Sequence, residues 1–124
     1  MSSRILLIED NEQNRYLAKF LLESRGHTVE TASDGQSGIE LARTIEAAAI
    51  ILDIQLPNLD GYATARELRK IPSLQKTPII AVTSYAMVGD REKALAAGCD
   101  GYLEKPIDPL TFVPDIEKFL SANS

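Results

Sequence analysis

Short apolar runs alternate along the whole chain with longer amphipathic stretches. The runs are RILLI (4–8), TVETA (28–32), AAIIL (48–52), TPIIAVT (77–83) and a weaker DGYL (100–103). Their length and β-branched content predict five strands. At 5–8, 48–52 and 79–82 the apolar residues are consecutive rather than alternate, as in strands buried on both faces of a parallel sheet. The stretches between them carry helical periodicity. Residues 12–25 place Leu17, Phe20, Leu21 and Ser24 on one face and stop at Gly26. Residues 35–46 do the same with Ile39, Ala42 and Ile45, and 61–70 run to a stop at Pro72. Residues 86–97 end at Gly98. A last helix is expected over 109–121 with Asp108 as N-cap, and Pro114 inside it predicts a kink or a late start.

Five strand–helix alternations predict a doubly wound α/β sheet with helices on both faces. In such sheets the ligand site lies beyond the C-terminal ends of the strands. Those ends deliver Glu9 and Asp10, then Asp53, then Thr83 and Ser84, then Glu104 and Lys105 ahead of Pro106. The second strand ends in Ser33-Asp34-Gly35, an ordinary turn. A lone strand-end aspartate usually caps a turn. Several carboxylates at one edge repel one another unless a cation joins them. Oxygen-only ligation suits Mg²⁺ best, with Mn²⁺ or Ca²⁺ as substitutes. A metal, the Lys105 amine, the Thr83 hydroxyl and an accepting carboxylate are the parts needed to hold a phosphoryl group.

Composition narrows the field. With 124 residues and 44% hydrophobic content, the chain suits a single core. A net charge of −5 offers no footprint for nucleic acid. The single cysteine, Cys99, expected buried, allows no internal disulfide and fits a reducing cytoplasm. The start is no signal peptide, and no apolar stretch approaches the ~18 residues of a membrane helix. His27, the only histidine, follows Gly26 and is expected to face solvent. No Ser-His-Asp set and no G-x-x-x-x-G-K loop can be assembled. The charged run at 90–93 is, from its composition, usually a solvated face.

The stretches LLIEDNEQN, ILDIQLPNLDGYA and IIAVTSYAMVGDREKALAAGCDGYLEKPID, with Thr83 30 residues after Asp53 and Lys105 22 after Thr83, resemble the CheY-like receiver domains of two-component response regulators. The resemblance covers essentially the whole chain. It implies a flavodoxin-like five-stranded sheet in the order 2-1-3-4-5, and one receiver domain over 1–124 without an output domain, as in stand-alone regulators and equally in receivers carried by hybrid histidine kinases. Asp53 would accept a phosphoryl group from a phosphohistidine. Asp10 would bind Mg²⁺ directly, Glu9 directly or through water, and Gln55 through its backbone carbonyl. Lys105 would contact the phosphoryl oxygens, with a cis bond to Pro106. Thr83 and Tyr102 would form a switch pair, Tyr102 turning inward when Thr83 moves. Ser84 would offer its amide, while Tyr85 and Gln55 would tune water's access. The partners implied are a histidine kinase or histidine phosphotransfer protein and a downstream protein target. Neither nucleic acid nor membrane is implied. The chain would be a cytoplasmic monomer or weak homodimer and a phosphoacceptor rather than a turnover enzyme.

Two other classes compete. A small Mg²⁺-dependent phosphatase using an aspartyl-phosphate wants a second Asp two residues after the nucleophile, where Gln55 stands. A flavodoxin-like FMN carrier wants a Ser/Thr-rich loop after the first strand, where EDNEQN stands.

Overall fold

A computed structural model describes residues 3–56, 59–84 and 89–122. Five parallel strands, β1 (Arg4–Ile8), β2 (Thr28–Ala32), β3 (Ala49–Asp53), β4 (Ile79–Thr83) and β5 (Gly101–Glu104), pair in the order β2-β1-β3-β4-β5. They alternate with helices α1 (Glu12–Ser24), α2 (Gly35–Ala42), α3 (Gly61–Arg69), α4 (Asp90–Ala96) and α5 (Phe112–Ala122). The expected architecture and strand order are both present.

The consecutive apolar runs have the expected cause. Successive strand residues point to opposite faces, and both faces are covered. Leu6, Ile8, Ile50, Leu52, Ile79 and Ala81 pack with Ile39 and Ala42 of α2, Ala65 and Leu68 of α3, and Ala94 of α4. Ile5, Leu7, Ile51, Ile80 and Val82 pack with Ala18 and Leu22 of α1 and with Phe112, Val113 and Ile116 of α5. Each fully buried Ile or Leu side chain contributes about 1.5–3 kcal/mol, so β3 is anchored between β1 and β4 right up to its last residue, Asp53.

Side chains at the strand C-terminal edge start three of the helices. Asn11 accepts from the Asn14 N–H at 2.9 Å, Asp34 from Ser37 at 2.7 Å and Asp60 from Ala63 at 2.8 Å. Gly26 and Gly98, with φ of 91° and 109°, stand just past the ends of α1 and α4 as expected.

Four expectations need correction. The buried face of α1 is Ala18 and Leu22, with Leu17 and Leu21 half-buried. Phe20 is 57% exposed and lies on the outer face, where it stacks on exposed Tyr16 at a centroid distance of 6.3 Å. Ser24 is likewise exposed, its hydroxyl donating to the Leu21 carbonyl. The last helix takes the late start that Pro114 allowed. It begins at Phe112, which puts Pro114 in the first turn, where an N–H has no intrahelical partner to lose. Asp108 therefore caps a tight turn, accepting from the Leu110 N–H at 2.9 Å, rather than the helix. His27 does not face solvent: it is buried, its Nδ1 accepts from the Ser3 N–H at 3.2 Å, and its Nε2 lies 2.9 Å from Glu117 of α5. Of the helix expected over 86–97, residues 86–88 lie outside the described residues.

Candidate functional site

The sheet brings the strand-end residues to one edge. The Glu9 N–H bonds the Ala32 carbonyl at 3.0 Å, one step beyond the paired residues of β1. Asp53 ends β3, Thr83 ends β4, and the Lys105 N–H bonds the Thr83 carbonyl at 2.7 Å just past β5. The Lys105–Pro106 bond is cis. Gly61 lets α3 start close under this edge. A Cβ there would lie 2.4 Å from Ile54 Cα and 2.6 Å from the Asp53 carbonyl, so only glycine fits.

The side chains converge. Ligand atoms of Glu9, Asp10 and Asp53 all lie within 4.8 Å of one another. Glu9 and Asp53 are buried and Asp10 is exposed, so the cluster opens to solvent on one side. Lys105 Nζ sits between the buried pair, 2.7 Å from Glu9 Oε1 and 3.3 Å from Asp53 Oδ2. Burial raises the Asp53 pKa above the usual carboxylate range, as do the hydrogen bond and negative charge of Glu9. The Gln55 N–H, bonded to Asp53 Oδ1 at 2.9 Å, and the Lys105 ammonium oppose the rise. The geometry holds a carboxylate ionised only against its surroundings, which is the condition a hard cation relieves. Three carboxylates without nitrogen or sulfur ligands fit Mg²⁺.

At the tip of β4 the Gln55 side chain makes two bonds. Its Nε2 donates to Thr83 Oγ1, and its Oε1 accepts from the Ser84 N–H at 3.1 Å. Tyr102 pairs in register with Ala81, two residues before Thr83, and packs against the same core. Its hydroxyl is buried without a hydrogen-bond partner among the described residues. Burial, followed by the Asp90 and Glu104 carboxylates, raises its pKa.

The response regulator receiver domain family matches residues 5–117. The chain belongs to that family. It is 35% identical over 120 residues to the polar-differentiation response regulator DivK of Brucella ovis, spanning 97% of this chain and 98% of that protein. The solved receiver domain of the sensor histidine kinase PA1611 from Pseudomonas aeruginosa PAO1, with a magnesium ion in its active site cleft, is 36% identical. It covers 98% of this chain and 99% of that one with a TM-score of 0.89. The chemotaxis protein CheY4 of Vibrio cholerae matches 96% of this chain and 99% of its own with a TM-score of 0.92 at 25% identity. This receiver is therefore a phosphorylation-dependent signalling module of the two-component kind, and its acidic cluster is of the type that binds Mg²⁺.

Every strand-end residue singled out from the sequence lies at this edge except Tyr85, which falls outside the described residues. Two contributors escaped the sequence reading. Arg15 Nη1 donates to the Glu9 carbonyl at 2.9 Å and to the Asp10 carbonyl at 3.4 Å, and the Asn11 N–H donates to Glu9 Oε2 at 3.1 Å. Together they fix the acidic loop of this receiver. A cation one helical turn into α1, after two adjacent acids, was the available signal for Arg15.

Proposed function

We propose that Asp53 is the phosphoacceptor of this receiver and that Glu9, Asp10, Asp53 and the Gln55 backbone carbonyl hold its Mg²⁺, with Mn²⁺ or Ca²⁺ able to substitute. The observation that carries this is the placement of Lys105 between Glu9 and Asp53, with Asp10 beside them on the open side. Mg²⁺ bound there would supply charge neutralisation for the incoming phosphoryl group and for the carboxylates around it.

The chain's own groups do the rest. Phosphoryl transfer depends on positioning and charge more than on covalent assistance. Anchored at the end of a fully buried strand, Asp53 presents Oδ2 toward Lys105. That oxygen attacks the phosphorus of a partner's phosphohistidine. The P–N bond breaks, its electron pair stays with the imidazole, and an acyl phosphate forms. Lys105 then meets the phosphoryl oxygens, and the Thr83 hydroxyl and Ser84 N–H are the neighbouring donors. Movement of Thr83 gives Tyr102, whose buried hydroxyl has no hydrogen-bond partner among the described residues, a reason to reposition. The partners are a histidine kinase or histidine phosphotransfer protein and a downstream protein target, met in the cytoplasm by a monomer or weak homodimer. The chain assists its own phosphorylation and dephosphorylation and is not a turnover enzyme.

Incubation with acetyl phosphate and Mg²⁺ tests this reading. It predicts one phosphoryl adduct per chain, absent in Asp53→Ala and absent with chelator. Rapid multiple turnover of phosphate esters by the wild type, or no adduct at all, would contradict it.

A further inference from the structure

One residue touches three groups of the proposed reaction. The Gln55 backbone N–H bonds Asp53 Oδ1 at 2.9 Å, its Nε2 bonds Thr83 Oγ1, and its Oε1 takes the Ser84 N–H at 3.1 Å. Thr83 is buried and Ser84 exposed, so the half-buried carboxamide spans the boundary between strand and loop. Its two ends have opposite polarity. The oxygen occupies a donor that a phosphoryl oxygen would need. The nitrogen presents Thr83 with a donor, so Thr83 serves it as an acceptor.

A phosphoryl group on Asp53 carries only acceptors. It can take the Ser84 N–H only by displacing Gln55 Oε1. The Thr83 hydroxyl can accept from Gln55 and still donate through its own proton, so the Gln55 contact fixes where that oxygen sits rather than whether it can donate. We propose that the Gln55 side chain is a latch that holds Thr83 and Ser84 in the unphosphorylated arrangement and must release the Ser84 N–H before the phosphoryl group can take it. This makes Gln55 a positioning residue that sets how readily the switch is thrown, and it rests on the reading of Asp53 as phosphoacceptor. The alternative is that the amide merely fills the loop after β3, in which case its removal leaves both neighbours unaffected.

Length and polarity both matter to the latch. Gln55→Ala removes both contacts but keeps the backbone carbonyl and N–H. Gln55→Glu keeps an acceptor for Ser84 and loses the donor to Thr83. Amide hydrogen exchange of Ser84, read by NMR on metal-free protein, sees the latch without any phosphorylation chemistry. The Ser84 amide should be protected in the wild type and in Gln55→Glu, and should exchange at least about fivefold faster in Gln55→Ala, the factor for one hydrogen bond of typical net strength. Titration with beryllofluoride and Mg²⁺, a phosphoryl mimic, should show Gln55→Ala binding about fivefold tighter than wild type, since the competitor for Ser84 is gone. An unchanged Ser84 exchange rate, or equal or weaker beryllofluoride binding by Gln55→Ala, overturns the latch and leaves the phosphoacceptor reading standing. If the wild type takes up no beryllofluoride, the phosphoacceptor reading fails, and the latch loses its role with it.

Discussion

Replacing Lys105 with methionine removes the cation from between Glu9 and Asp53 while preserving most of the side-chain volume. At the 4.8 Å limit of the cluster, two ionised carboxylates repel by about 3.5 kcal/mol at an effective dielectric of about 20. In the wild type, Lys105 at 2.7 and 3.3 Å more than offsets this, with gross attractions of about 6 and about 5 kcal/mol before desolvation at the same dielectric. The loss has a ceiling, because one carboxyl can take a proton instead, and protonating an ordinary carboxylate at pH 7 costs about 4 kcal/mol. Lys105→Met is therefore expected to lose about 3–4 kcal/mol at neutral pH, within the range for removing one partner of a buried pair. The pH dependence follows from the Asp53 carboxyl, whose folded-state pKa is already raised and loses a lowering influence in the variant. A group raised on folding stabilises below its unfolded pKa, and that contribution is lost as pH rises through the folded value. The deficit should thus be full at neutral pH and shrink toward about pH 4. Mg²⁺ should also shrink it, by binding the folded state. Urea unfolding of both proteins at neutral and acid pH, with and without Mg²⁺, measures this. A deficit that is the same at both pH values and indifferent to Mg²⁺ would show that Lys105 acts through packing, and would refute the electrostatic reasoning.

By the same linkage, Asp53→Asn should stabilise the metal-free protein at neutral pH. The gain should vanish in acid, and Mg²⁺ should reverse the order by stabilising only the wild type; thermal unfolding follows each. Gly61→Ala drives a Cβ into Ile54 Cα and the Asp53 carbonyl. It should cost at least about 1–3 kcal/mol, as overpacking does, and should weaken Mg²⁺ binding measured by calorimetry, because the loop carrying Gln55 must shift. Glu117→Ala strips the Nε2 of buried His27 of its Glu117 partner and leaves the Ser3 N–H on Nδ1. The expected loss is about 1–3 kcal/mol in urea unfolding, whereas Arg25→Ala, at an exposed ion pair, should cost under about 1 kcal/mol.

The sequence was most legible where one residue's environment depends on its immediate neighbours. Consecutive apolar runs marked β1, β3 and β4 because both faces are covered, and the topology rule then turned strand ends into a site list containing Glu9, Asp10, Asp53, Thr83 and Lys105. Legibility failed where a partner is remote. The burial of His27 depends on Glu117, 90 positions away in sequence, and the Gln55 bridge depends on Thr83, 28 positions away. Neither leaves a periodic trace. The face of α1 was misassigned for a different reason: Ala18 is a weak apolar signal, and the stacked pair Tyr16 and Phe20 is a strong one pointing outward. Pro114 showed that α5 starts late or bends, and the choice fell to the Asp108 turn that holds the preceding chain.

The most direct measurement traps the phosphoryl group where it lands. After reaction with phosphoramidate and Mg²⁺, borohydride reduction converts an aspartyl acyl phosphate to homoserine, and peptide mass mapping locates the converted residue. Conversion at position 53 alone is the predicted result. Conversion at Asp10 or another carboxylate, or a stable adduct with no reducible acyl phosphate, would contradict the assignment of Asp53 as the acceptor.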